Sequence, residues 1–254
     1  MSDPRDASGA RDLAAYEADY GAHAFEVIQA RLRKRIILEL MERTRPARIL
    51  EVGCGSDTLA NHWTIASAFT VVEPAPGFAE TARRDTANVA GVEVIEGFLQ
   101  DAAPRLAGRS FDLIVLSGLL QEVSDPGGLL QQVHGLCGDA TTVHVNVPNA
   151  LSMHRLLGVE MGALTAPEAL SETQQRFQQF RTYTPETLQD EIGKAGFSVS
   201  EAGSYFIKPF THAQMDELRR AGFLTETMLE GLWGLARHMP AHGSEIFVNA
   251  RRAR

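Results

Sequence analysis

The chain has 254 residues, 44% apolar and 22% charged, which excludes wholesale disorder and leaves material for one large domain. With 24 Lys and Arg against 32 Asp and Glu, the formal charge is -8, and a general nucleic-acid binder would need a basic field instead. Cys54 and Cys137 offer neither a disulfide framework nor a zinc cluster, and no apolar run nears the ~20 residues that cross a bilayer.

In chain order, Met1-Ser2-Asp3-Pro4-Arg5-Asp6 leads into no apolar signal core, so a cytoplasmic protein without a membrane anchor is expected. Residues 1–21 are expected to form a mobile N-terminal segment, with one domain over 22–254. From Ala22, apolar residues at Phe25, Ile28, Leu32, Ile36 and Leu40 predict a helix that Pro46 ends. Arg31, Arg33, Lys34 and Arg35 fill its other positions and read as a solvated face.

Strands follow at 48–52, 69–73, 92–96, 111–116 and 141–147, with helical stretches between most of them. Gly138 reads as the C-terminal cap of a helix carrying Leu129, Leu130, Val133 and Leu136. Strand and helix in alternation call for an α/β fold with a mostly parallel sheet and helices on both faces. The stretch 151–182 breaks that rhythm and is expected to be a helical lid insertion. Thr184 as N-cap and Pro185 in the first turn then open a helix that ends near Gly196. Strands at 197–207 and 245–250, split by a second helical insertion near 211–240, suit an antiparallel edge pair.

The chemistry concentrates at Glu51-Val52-Gly53-Cys54-Gly55. Glycines at alternate positions after an apolar strand let the backbone turn sharply and approach a ligand, because neither presents a Cβ. Glu73 ends the next strand, 20 residues beyond Gly53, where a carboxylate can accept both hydroxyls of a ribose. A dinucleotide site wants a third glycine where this chain has Thr58, and no Gly-Lys-Ser/Thr follows for a P-loop. Glu51 opposes a polyphosphate but suits an ammonium and a sulfonium. S-adenosylmethionine is that ligand.

These residues resemble the class I S-adenosylmethionine-dependent methyltransferases over about residues 25–205. The likeness rests on Ile-Leu-Glu-Val-Gly-Cys-Gly (49–55), Val-Val-Glu-Pro (71–74), Phe-Asp-Leu-Ile-Val-Leu-Ser (111–117), Asp-Pro (125–126) and Val-Pro-Asn (147–149). It implies a Rossmann-like seven-stranded sheet. It also implies that Glu51, Gly53, Cys54 and Gly55 take the methionine part, Glu73 with Pro74 the ribose, and Gly97, Phe98 and Leu99 the adenine. Ser117 and Gly118 would lie under the sulfonium. Relatives often carry Asp near Phe98; here a backbone carbonyl, Gln100 or Asp101 stands in its place. The stretches 149–158 and 181–184 look like a bacterial subgroup that acts in sugar, lipopolysaccharide or natural-product pathways, which points to a small-molecule acceptor.

Methyl transfer is an in-line displacement, so the protein must align the acceptor and remove a proton where the acceptor is a hydroxyl. His154, Glu122 and Tyr183 are the catalytic candidates, and Arg155 and Arg181 could hold an acidic group of the acceptor. Tyr16 and Tyr20 lie in the segment that closes over the cofactor in the family. Some relatives hold magnesium where this chain has Gly118, Gln121 and Glu122; one carboxylate of three predicts no metal. His144, between two valines, reads as a core histidine, and Cys54 as a packing residue. No Ser-His-Asp order or Gly-x-Ser-x-Gly elbow supports a hydrolase. O-methylation of a small metabolite is the expected activity. The alternatives are N-methylation, another reaction on the same cofactor fold, or a catalytically silent cofactor-binding subunit. The sequence leaves the oligomeric state open.

Overall fold

Why the strands form is plain from their composition: five short runs rich in Val, Ile and Leu, each stopped by a turn residue, make a parallel sheet, buried on both faces except at the edge run 92–96. The computed structural model describes residues 12–14, 17 and 24–253. Its strands are β1 (Arg48–Val52), β2 (Ala68–Glu73), β3 (Val92–Glu96), β4 (Leu113–Ser117), β5 (Thr142–Pro148), β6 (Phe197–Tyr205) and β7 (Glu245–Arg252). They form one sheet in the order β3-β2-β1-β4-β5-β7-β6. The pairs through β5 are parallel, with Val52 opposite both Val72 and Leu116, while β7 runs antiparallel to β5 and β6.

The expected first helix is α1 (Ala24–Thr44). Ile37, Leu40 and Met41 pack with Ile49, Phe69, Val71 and Val115 on one sheet face. The opposite face buries Leu50, Val72, Ile114 and Leu116 against α3 (Leu99–Leu106) and α4 (Pro126–Leu136), which complete the three layers begun by α1 and α2 (Pro76–Asp85). Local chemistry sets the helix starts. Asp125 accepts from the Gly128 N–H at 2.9 Å before Pro126, and Thr184 accepts from Thr187 N at 3.2 Å to open α7 (Pro185–Lys194). The C-terminal cap of α4 is Cys137, in extended backbone, rather than Gly138.

Helices α5 (Met153–Glu160) and α6 (Glu172–Arg176) fill the β5–β6 connection ahead of α7. Helices α8 (His212–Arg220) and α9 (Glu226–Leu235) fill the β6–β7 connection and pack through Met215, Leu224 and Leu229 on Phe25, Ile28 and Leu32 of α1. Two residues of the 1–21 segment make contacts with the domain. Asp12 N donates to Gln178 Oε1 at 2.8 Å, and Glu17 Oε1 accepts from Gly77 N at 2.7 Å. Among the described residues no helix is long and apolar enough to cross a membrane.

Because β5 and β6 share a direction, the carboxyl ends of β1, β2, β4, β5 and β6 and the first residue of β7 meet at one edge. Open α/β folds bind their ligands there.

Candidate active site

The turn after β1 is built around two left-handed glycines, Gly53 at φ 77° and Gly55 at φ 58°. Gly53 N donates to Val72 O at 2.8 Å, and Gly55 N donates to Glu73 Oε2 at 3.1 Å, so the turn is tied to the end of β2. Glu73 Oε1 also accepts from Ala75 N at 2.9 Å. Glu51 points into the same space, where it accepts from Thr58 Oγ1 at 2.5 Å and from Leu59 N at 3.1 Å. Burial raises both carboxyls: Glu51 reaches about 7 despite its hydrogen bonds, and Glu73 moves in the same direction.

At the end of β4, Gly118 adopts φ 63°. A line of hydrogen bonds fixes this turn from behind. Asn146 Oδ1 accepts from Gly118 N at 3.0 Å and from Ser117 Oγ at 3.2 Å. Asn146 Nδ2 donates to His144 Nε2 at 3.0 Å, His144 Nδ1 meets Asn249 Oδ1 at 2.7 Å, and Asn249 Nδ2 donates to Glu201 Oε2 at 2.8 Å. Burial holds His144 down to about 4, so it is neutral and can donate at one nitrogen while accepting at the other. His144 is thus a satisfied core histidine that orients the turn.

Both turns open into a cavity of about 920 Å³, which also reaches His154, Lys208 and Glu245. That volume lies near the upper end of small-molecule sites. Among the described residues, three buried polar atoms of its lining side chains have no hydrogen-bond partner: Gln29 Oε1, Gln121 Oε1 and His154 Nδ1. Glu51 and Glu73 set two carboxyls beside the glycine turn, which suits a ligand rich in hydrogen-bond donors. Ribose hydroxyls and an α-ammonium meet that need. The residues present therefore fit S-adenosylmethionine: the 53–55 turn, Glu51 and Gln121 for the methionine part, and Glu73 for the ribose.

The family described as "Methyltransferase domain" matches residues 20–202. The chain belongs to the S-adenosylmethionine-dependent methyltransferases. It is 30% identical over 165 residues to the ubiquinone biosynthesis O-methyltransferase of Azorhizobium caulinodans, a match that spans 64% of this chain and 63% of that protein. The fold is similar to a solved S-adenosylmethionine-dependent methyltransferase of Thermotoga maritima, described as a possible histamine N-methyltransferase. That likeness has a TM-score of 0.59 at 18% identity and covers 94% of this chain and 98% of the other. The N-methyltransferase NodS of Bradyrhizobium japonicum, solved with S-adenosylhomocysteine, has a TM-score of 0.53 at 11% identity, covering 88% and 87%.

The methyltransferase cavity gathers most of the residues singled out in the sequence. Glu51, Gly53, Cys54, Gly55, Glu73 and Pro74 line it, as do Ser117, Gly118, Glu122 and His154. Burial pushes the Cys54 thiol up, which suits packing and not nucleophilic chemistry. Gly97, Phe98 and Leu99 stand beside the cavity instead of lining it. Gly97 N donates to Glu73 O at 3.0 Å, Phe98 is 44% exposed, and Leu99 turns into the core.

Three acceptor-side expectations are corrected. Arg155 reaches the cavity, but its guanidinium is committed to Pro167 O, Ala169 O and Gln174 Oε1, so it clamps the 163–174 loop. Arg181 donates to Ser124 O at 2.8 Å and lies off the cavity. Tyr183 is buried in the core away from it, and burial pushes its phenol up to about 12. Tyr16 and Tyr20 lie outside the described residues.

His154 is held well below its usual 6.5, first by burial and then by the nearby Lys208, His212 and Arg155. It is a neutral but weaker base than an ordinary histidine. Among the described residues no three His, Cys, Asp or Glu side chains group to hold a metal ion.

Sequence reasoning missed Gln29, Arg33, Lys208 and Glu245. Arg33 belongs to the cationic run read as solvated, yet it faces inward and pairs with Glu245 at 2.5 Å. Lys208 could have been found by applying to β6 the same edge argument that singled out His154 after β5.

Because Glu73 braces the glycine turn and lines the cavity, Glu73→Ala is expected to weaken S-adenosylhomocysteine binding by ~1–3 kcal/mol, the range for hydrogen bonds to a charged group. Calorimetry showing unchanged affinity would remove Glu73 from the nucleoside site.

Proposed function

We propose that this methyltransferase transfers its methyl group to a hydroxyl oxygen of a small molecule, with His154 accepting the hydroxyl proton. The observation that carries this reading is the place of His154, an imidazole after β5 that lines the cavity and whose buried Nδ1 has no partner among the described residues. The sheet order supports the division of labour. The ends of β2, β1 and β4 bear the nucleoside residues, and those of β5, β7 and β6 bear His154, Glu245 and Lys208 on the other half of the edge. The name of the Azorhizobium relative agrees with oxygen as the acceptor.

S-adenosylmethionine supplies a methyl carbon already activated by its sulfonium, so the residues of this chain have to bind, align and take a proton. Gly53, Gly55 and Glu73 hold the donor, with the Gly97–Phe98 turn beside the adenine. Ser117 and Gly118 form a floor that Asn146 keeps in place. The acceptor hydroxyl would give its proton to the His154 imidazole as its oxygen takes the methyl group that the bound donor would supply. An alkylammonium acceptor would look for a free carboxylate on this half. Glu245, however, is engaged by Arg33, Tyr205 and Gln29.

Methyl-labelled donor offered with matched hydroxyl and amine acceptors is expected to label oxygen. His154→Ala should lower kcat/KM by ~10²-fold or more, the usual scale for general-base loss. Its S-adenosylhomocysteine affinity should stay within about twofold, ~0.4 kcal/mol. Label on nitrogen, or full turnover in the variant, would refute the reading.

A further inference from the structure

Lys208 follows β6 directly, in the run Tyr205-Phe206-Ile207-Lys208. Phe206 is left-handed at φ 56°, a costly conformation for a bulky side chain, and its ring is fully buried. Neighbouring backbone holds it there: Ser244 N donates to Phe206 O at 2.7 Å, and Ile207 N to Leu232 O at 2.9 Å. This turn delivers Lys208 to the cavity wall, where the residue is 4% exposed.

A buried ammonium is expensive unless it is paired. Among the described residues Lys208 Nζ has one hydrogen-bond partner, His212 Nε2 at 3.3 Å, and no carboxylate within ion-pair distance. The two nearby carboxylates belong to Arg33, at 2.5 Å for Glu245 and 3.4 Å for Glu26. The groups around Lys208 are thus Glu26 and Arg33 from α1, Glu245 from β7, His212 from α8, and Arg155 and His154 from α5. Burial lowers the amine to about 8 against the pull of Glu26 and Glu245, so it remains mostly charged at neutral pH. Lys208 lines the same cavity as His154 and Gln29.

We infer that Lys208 holds the acceptor oxygen as an oxyanion while His154 takes its proton, which selects acceptors with an acidic, phenol-like or enol-like hydroxyl. The selectivity follows from base strength. A histidine as buried and as close to cations as His154 accepts a proton readily only from a hydroxyl that is itself acidic, or made so by an adjacent ammonium. An aliphatic alcohol is many orders of magnitude too weak an acid, and an alkylammonium would be repelled by Lys208 and Arg33. The inference rests on the oxygen-methylation reading and adds to it the residue that sets acceptor class.

The probe is 4-nitrophenol, whose yellow band reports its ionised form, titrated into the protein saturated with S-adenosylhomocysteine below the probe's own pKa. Wild type is expected to raise the phenolate band. Lys208→Met should lower that uptake at least tenfold, while binding of 4-nitroanisole, which has no hydroxyl, stays unchanged. In wild type the amount of probe bound, separated from free probe by dialysis, should fall away as pH passes about 8, the region where Lys208 loses its charge. Lys208→Arg should keep the band and extend probe binding, read by dialysis, to higher pH, a readout that survives if the Met variant folds poorly. No band with wild type, equal bands in wild type and Lys208→Met, or the same upper pH limit in Lys208→Arg would each overturn the inference. Label on nitrogen defeats the parent reading instead. A lost band in Lys208→Met with full turnover in His154→Ala removes His154 and leaves Lys208 standing.

Discussion

Arg33→Met is expected to cost about 3 kcal/mol of unfolding free energy, the low end of the range for breaking a buried ion pair. Arg33 is enclosed between α1 and the start of β7. Its guanidinium meets both oxygens of Glu245, at 3.0 Å for Oε2 from Nε and 2.5 Å for Oε1 from Nη2, and reaches Glu26 at 3.4 Å. Glu245 is 2% exposed and also accepts from Gln29 Nε2 at 3.1 Å and from the Tyr205 hydroxyl. Removing the arginine would strand two carboxylates in a low-dielectric wall. Lys208 remains close enough to offset part of the loss, hence the low end. The double variant with Glu245→Met should recover some of the stability but not all, because Tyr205 and Gln29 would then lack their shared partner. Urea melts of the three proteins measure this. An Arg33→Met protein within ~0.5 kcal/mol of wild type, the ordinary scatter for surface changes, would show that the pair is solvated and not structural.

Arg33 also marks where the sequence stops being legible. The parallel strands announce themselves by composition and by the turn residues that follow them, and the cofactor half of the site comes with them, because Gly53, Gly55, Glu51 and Glu73 sit at fixed offsets on consecutive strands. Those offsets are local. The half proposed for the acceptor is assembled across long sequence distances: Arg33 on Glu245, and Lys208 beside His154. Helical periodicity places Arg33 between Leu32 and Ile37, both buried, but cannot say that a strand more than 200 residues away supplies a carboxylate. The same blindness assigned Arg155 and Arg181 to the acceptor. An arginine in a β5–β6 connection looks alike whether it faces a ligand or, as here, backbone carbonyls, those of its own loop for Arg155 and Ser124 O for Arg181. Lys208 is different, for its position after β6 was readable once the strand's direction was known.

Glu51→Gln is expected to remove about 3 kcal/mol of pH dependence from the stability of the protein. In the fold this carboxyl titrates at about 7, raised from 4.5 mainly by burial. A raised acid binds its proton more tightly in the folded state. Its contribution is therefore complete below 4.5 and is lost as pH rises through about 7. At ~1.4 kcal/mol per unit, the shift amounts to the ~3 kcal/mol quoted. Glu73 shifts in the same direction and adds to the slope, whereas Glu245, held low, works oppositely in the acid range. Comparing urea melts of wild type and Glu51→Gln from pH 4.5 to 8 isolates the Glu51 part, since the other carboxyls are common to both. Ligand binding provides an independent reading. S-adenosylhomocysteine brings an α-ammonium to the wall that Glu51 lines, and a cation there favours the ionised carboxyl. Near pH 6 its binding should thus release protons, visible as a dependence of the calorimetric heat on the buffer's ionisation enthalpy, and should tighten as pH rises toward neutrality. Glu51→Gln should lose most of that proton release. Buffer-independent heats in wild type would mean that Glu51 stays protonated when the ligand binds, and the ammonium would then have to rest on Gln121 and the carbonyls of the glycine turn.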